Sequence, residues 1–281
     1  MPVGPARMPL FDHLGELRMR LVRIVACMAI AIMVFYLAAP TIAVFLSLPI
    51  AEYLPKGENG QPVFSFIDPF EAFSVRFQIS LWVSIVACMP IIIWQILAFF
   101  LPALKPSERK WFIPTFAVAV FLFAFGVVFC YLIILDPAFE WLTSQGIGFG
   151  ETIARANTYI GTIIKFEIAF GFAFELPLVV FYLVTFDLVP YKKLRDSWRI
   201  VYVSLMVLSA ITTPDASPIT MVLMCAALIG LYEISLLVAR IALGNRYYEQ
   251  TAAYEKSLAE DTEWQEEWKR MKAERKAKDK K

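Results

Sequence analysis

Six separated apolar runs dominate this sequence, at residues 21–39, 73–101, 111–135, 160–186, 200–212 and 218–243. A helix needs about 20 apolar residues to cross a hydrocarbon core of roughly 30 Å, because every backbone amide there must be satisfied within its own segment. The runs therefore predict an all-α, polytopic membrane protein with six transmembrane helices. Composition agrees: 59% of the 281 residues are hydrophobic and the mean hydropathy is +0.63, above the apolar share of ordinary soluble chains. The first residues carry Asp12, Glu16 and arginines ahead of any apolar core, which does not read as a cleaved signal peptide.

Basic residues orient the spans. Arg7, Arg18, Arg20 and Arg23 precede or open the first run. Lys105, Arg109 and Lys110 lie in connection 102–110, and Lys192, Lys193, Arg195 and Arg199 in connection 187–199. The alternate connections, 40–72, 136–159 and 213–217, hold Lys56, Arg155 and no basic residue respectively. By the positive-inside rule both termini are cytoplasmic. The last two spans are expected to be short, since run 200–212 supplies 13 residues and Pro214 and Pro218 bracket the turn after it. At 1.5 Å per residue that run covers roughly 20 Å, so the hairpin either thins the bilayer or is covered by its neighbours.

Connections 40–72 and 136–159 are long enough for structure of their own. The first is rich in Pro and Gly and closes on an aromatic, acidic stretch; the second carries Phe139, Trp141, Leu142 and Phe149. Both read either as an outer cap or as passive loops anchored by aromatics. Residues 1–243 form the membrane domain, and 244–281 a charged cytoplasmic tail. Trp264, Trp268 and Met271 make a helical stripe in a segment that otherwise reads as solvated or disordered.

Enzymatic signatures are lacking. His13 is the single histidine, which excludes zinc sites built on several histidines, and no Gly-rich phosphate loop opens a helix. Cys27, Cys88, Cys130 and Cys225 all fall inside apolar runs and read as small buried hydrophobes. No metal or cofactor is implied. The carboxylates are more informative. Glu175 lies within run 160–186, where an ionisable group costs about 2.5–3.5 kcal/mol and normally faces a cavity or a partner. Glu16 and Glu108 lie among basic residues at the cytoplasmic ends of spans, where carboxylates can receive guanidinium groups in bidentate fashion. Glu16 also has Arg20 at i+4, so a local ion pair is an equal reading. Glu167 is expected to pair with Lys165, and Glu233 with Arg240 or with headgroups.

Several short blocks stand out along these spans in a fixed order. These are His13-Leu14-Gly15-Glu16-Leu17-Arg18-Met19-Arg20 before span one and Pro69-Phe70-Glu71-Ala72-Phe73 leading into span two. Trp94-Gln95-Ile96-Leu97-Ala98-Phe99, Pro102 and Glu108-Arg109 follow at its end. Phe170-Gly171-Phe172-Ala173-Phe174-Glu175-Leu176-Pro177 lies in span four, and Thr212-Thr213-Pro214-Asp215 after span five. Together these blocks resemble the TatC family, the multispanning core of the twin-arginine protein translocase; the resemblance covers roughly residues 8–243, and Glu167, Asp68 and the tail depart from it.

The resemblance implies a receptor for twin-arginine signal peptides of folded cargo. It would work with single-span TatA/TatB-type partners in the bacterial cytoplasmic (inner) membrane, with self-association and the proton-motive force. Carried over by position, Glu16 and Glu108 would bind the paired arginines, with Arg18, Phe99 and Arg109 shaping the site. Gln95 and Glu175 would form an intramembrane polar patch for partner helices, and Pro49 and Asp215 would support the outer cap. Nucleic acid has no place in this reading. The alternative is a proton-coupled secondary transporter using Glu175, but no internal repeat and no matched pair of broken helices is evident.

Overall fold

The computed structural model describes residues 10–57, 63–100, 112–148, 153–213, 218–244 and 246–278. All of its named elements are helical. Among the described residues five helical segments are long and apolar enough to cross a membrane, and a shorter apolar helix makes the sixth span. The chain divides into two compact units: residues 1–175 with 206–228, and residues 176–205 with 229–281.

In the first unit, α1 (Leu10–Ser47) is 38 residues long and continues through Pro40, beyond the expected end of the apolar run at residue 39. Proline removes one donor to the carbonyl four residues back, a local loss that the rest of the helix survives. The extension carries Leu46 into the core, and Ile50 follows in a 3₁₀ turn, Leu48–Tyr53. α2 (Pro69–Phe100) runs antiparallel to α1: Arg20 meets Gln95, Cys27 and Cys88 bring their sulfurs to 3.5 Å, and Tyr36 meets Phe73.

α3 (Phe112–Phe129) passes through a π-helical turn, Cys130–Ile134, into α4 (Leu135–Ser144). α5 (Ala156–Ala173) lies against α3 at very short range. A Cβ at Gly126 would stand 2.6 Å from the Phe170 carbonyl oxygen, and one at Gly171 would stand 2.8 Å from the Phe123 ring. Only hydrogen fits at either position. The contact is then filled by Phe125, Phe129 and Phe174, whose rings sit 5.2–5.5 Å apart around Phe174.

The two long connections form a joined cap rather than passive loops. The Tyr131 hydroxyl donates to the Phe45 carbonyl at 2.7 Å, with the Tyr131 and Phe45 rings stacked, and the Tyr53 hydroxyl donates to Asp136 at 2.8 Å. Ser65 and Arg155 form a short bridge, made by Ser65 N–H to the Ala154 carbonyl (2.9 Å) and Ala156 N–H to the Ser65 carbonyl (3.2 Å). Glu71 locks this bridge to α2. Its carboxylate accepts from Ile67 N–H at 2.9 Å and Asn157 N–H at 3.4 Å, and faces the Arg155 guanidinium at 3.6 Å.

In the second unit, α6 (Leu176–Thr185) ends near Asp187, whose φ of 58° places it in the left-handed region that an acid tolerates better than most residues. α7 (Tyr191–Asp196) leads into α8 (Trp198–Thr212), 15 residues long and part of this unit up to Leu205, while α9 (Pro218–Leu243) has 26 and belongs to it from Ile229. Of the last two spans only the fifth is therefore short; Pro218 opens a full-length sixth helix, because proline is tolerated in a helix's first turn.

The tail is α10, a 33-residue helix over Arg246–Lys278. Arg246 pairs with Asp187 at 2.8 Å, Gln250 donates to Asp187 and the Val184 carbonyl, and Lys192 pairs with Glu255. The Glu255 carboxylate holds the Lys192 ammonium above the usual lysine range. Glu233 does not meet Arg240. Arg195 and the Tyr202 hydroxyl both donate to it at 2.6 Å, while the Arg240 guanidinium lies over the Tyr247 ring.

Candidate functional site

Glu16 sits in the second turn of α1 and Gln95 near the end of α2, and antiparallel pairing brings these two ends together. Arg20 joins them. Its Nε donates to Glu16 Oε1 at 3.1 Å, its Nη2 also reaches that oxygen, and its Nη1 donates to Gln95 Oε1 at 3.1 Å. The local pair that the sequence left open is thus made, and it is tied to a second helix. Both side chains are largely covered, with 17% of Arg20 and 25% of Glu16 exposed, so the pair is less screened than an open surface pair. Arg18 is exposed beside them and Phe99 is half-buried at the end of α2. Glu108 and Arg109, together with Pro102, lie outside the described residues, as does Asp215. Pro49 is half-buried in the 3₁₀ turn of the cap.

Gln95 does not bond to Glu175. Its Oε1 is engaged by Arg20 at the end of α2, five residues before the helix stops, so its amide serves the α1–α2 end rather than the deeper acid. Glu175 occupies the break between α5 and α6. Pro177 has no N–H and its ring excludes the carbonyl four residues back from regular helix geometry, so the ladder shifts there. The Glu175 N–H bonds to the Phe172 carbonyl at 3.1 Å, a tightened turn. Phe174, 4% exposed on its α3 platform, fixes the residue before it. Glu175 Oε1 is shielded and has no hydrogen-bond partner among the described residues. A buried carboxylate oxygen left unmet is costly, which makes this position suited to a donor supplied from elsewhere.

Glu167 is buried more completely than Glu175. It is 2% exposed and accepts from Trp82 Nε1 at 2.5 Å instead of pairing with Lys165. Sequence reasoning missed three contacts: Trp82 as the partner of Glu167, Arg20 as the link to Gln95, and Glu71 as the hub of the cap. Only Glu71 left a signal, as an acid in the first turn of a helix that follows a turn-rich stretch. Among the described residues no three His, Cys, Asp or Glu side chains gather as metal ligands.

The family profile "Sec-independent protein translocase protein (TatC)" matches residues 12–226. The chain is 33% identical over 240 residues to the Sec-independent protein translocase protein TatC of Deinococcus radiodurans, covering 85% of this chain and 88% of that one. It is also 33% identical over 239 residues to the protein of that name from Aquifex aeolicus, covering 84% and 96%. A crystal structure described as the twin-arginine translocase receptor TatC in DDM superposes with a TM-score of 0.70 at 29% identity. It covers 81% of this chain and 99% of its own. A second crystal structure of that receptor gives 0.69 at 32% identity, covering 82% and 99%. The relatives' names describe a transport role and not an enzymatic one. Matched across most of its length in sequence and in its six-span helical fold, this chain belongs to the TatC family.

Proposed function

We propose that this protein is the membrane core of a Sec-independent translocase and the receptor for twin-arginine signal peptides of folded cargo. The observation that carries the reading is the Glu16 carboxylate at the N-terminal end of α1, already shaped around one guanidinium, that of Arg20. A site that holds an internal arginine has the geometry for an arriving one, which exchanges with Arg20 or joins it on the carboxylate. Glu108 supplies the second acid, and Arg18, Phe99 and Arg109 border the peptide. Arg20, held also by Gln95, keeps Glu16 oriented while the site is empty.

With both termini in the cytoplasm of a cell whose inner membrane holds the protein, this end faces the compartment where cargo folds. Glu175 receives a polar group from a single-span TatA/TatB-type partner or from an inserted signal hairpin, and the cap around Pro49 and Asp215 braces the opposite end. Transport draws on the proton-motive force, and copies of the chain associate with one another.

The test is transport into inverted membrane vesicles that contain this chain and its own single-span partners. A folded reporter with an Arg-Arg signal is expected to enter, and to stop entering with a Lys-Lys signal or an uncoupler. Entry that ignores both changes would overturn the reading.

A further inference from the structure

Lys165 is the one charged side chain of α5 beyond its first turn that has neither an ion pair nor a side-chain hydrogen bond among the described residues. It stands exposed nine residues into α5, about 13 Å along the helix at 1.5 Å per residue. That depth lies within the apolar segment Ala156–Thr185. Its sequence neighbour Glu167 is turned inward and engaged by Trp82. An ammonium at such a depth ordinarily faces a partner or extends its stem toward the interface.

A groove of about 460 Å³ between α2 and α5 contains it. Gln78, Asn157, Thr158 and Thr162 join Lys165 along this groove, and Leu81, Ile85 and Ile168 make its apolar part. The two helices run in parallel from the cap, as the Gln78–Asn157 bond (2.8 Å) and the Trp82–Glu167 bond together require. The polar residues consequently sit toward the cap and the aliphatic ones deeper. Thr158, Thr162 and Lys165 follow at i, i+4 and i+7 on one face of α5. Gly161 keeps the wall low, with Gln78 Oε1 just 3.4 Å from where its Cβ would be.

From this arrangement we infer that the α2–α5 groove binds an anionic phospholipid, its phosphate at Lys165, Thr158 and Thr162 and an acyl chain along Ile85 and Ile168. Charge and polarity select this occupant. One cation and two hydroxyls offer donors to phosphate oxygens, and the groove changes from polar to aliphatic in the order in which a lipid does. A helix carrying an acidic residue would match the lysine but would not need that gradient.

The experiment is native mass spectrometry of the delipidated full chain titrated with phosphatidylglycerol and, separately, phosphatidylcholine. Wild type should retain phosphatidylglycerol preferentially. Lys165→Gln should cut that retention about fivefold, which corresponds to the roughly 1 kcal/mol of one lysine at an anionic surface, and leave phosphatidylcholine unchanged. Lys165→Arg should behave as wild type, and so should Lys56→Gln, at a cap residue that does not line the groove. Thr158→Val with Thr162→Val, which keeps the charge, should weaken phosphatidylglycerol alone and tests the site should Lys165→Gln fail to fold. No preference in wild type, or equal losses in Lys165→Gln and Lys56→Gln, overturns the inference. So does a photo-crosslinker at residue 162 that captures a membrane protein and no lipid in native membranes.

Discussion

Replacing Trp82 with Phe should unmask the cost of a buried carboxylate. Trp82 and Glu167 are each 2% exposed, and the indole N–H is the one hydrogen bond that Glu167 receives among the described residues. Trp82→Phe removes that donor and shrinks the ring. Loss of ring contact costs about 1 kcal/mol, of the size of a modest core truncation. Interhelical hydrogen bonds within membranes average about 0.6 kcal/mol in double-mutant cycles and reach about 1.7. A wholly enclosed acid with a single donor belongs at the upper end, so the coupling expected here is about 1.5 kcal/mol and the total for Trp82→Phe about 2.5.

In a Glu167→Leu background the same substitution orphans no acceptor and removes an indole N–H that has already lost its partner, so it should cost no more than about 1 kcal/mol. Equilibrium unfolding of the four proteins in mixed micelles measures the cycle. A coupling below about 0.3 kcal/mol would refute the argument, since it would mean that Glu167 is satisfied equally well without Trp82.

Three further outcomes follow from the geometry. Glu71→Ala takes the acceptor from the part-buried Ile67 and Asn157 amides and should destabilise by about 2 kcal/mol, at about 1 per donor, the low end for a shielded group; Arg155→Ala, half-exposed, should cost under about 1, and hydrogen exchange at residues 65–71 reads the difference. Gly126→Ala drives a Cβ into the Phe170 carbonyl and should lower Tm in detergent by an overpacking cost of about 1–3 kcal/mol, whereas an unchanged Tm would contradict the tight α3–α5 contact. Glu175→Ala should reduce crosslinking of a single-span partner to spans four and five while signal-peptide binding persists; unchanged crosslinking would remove Glu175 from partner docking.

The spans were legible because the bilayer forces a length and a composition on each of them. Their ends were less so. Residues 40–47 read as a loop behind Pro40, yet Leu46 is needed in the core and the helix continues to deliver it. The Glu16–Arg20 pair was visible as an i, i+4 spacing, but its link to Gln95 joins residues 75 apart and depends on the register of α1 against α2.

Glu167 was misassigned because proximity in sequence stood in for geometry. Residues two apart point about 200° away from each other around a helix, so Lys165 faces the groove while Glu167 faces Trp82. Glu233 and Arg240 are two turns apart on one face, but Arg195, from the connection before α8, reaches the acid instead. Periodicity shows which face a residue occupies; what stands opposite comes from packing.

The central claim is that cytoplasmic carboxylates read a pair of arginines. Its most direct measurement is the affinity of a synthetic Arg-Arg signal peptide, against its Lys-Lys twin, for the purified protein in nanodiscs, with wild type beside the Glu16→Gln/Glu108→Gln double variant. A strong preference for Arg-Arg that disappears in the double variant is the predicted result. Equal affinity for the two peptides, or a preference that survives loss of both acids, would contradict the account.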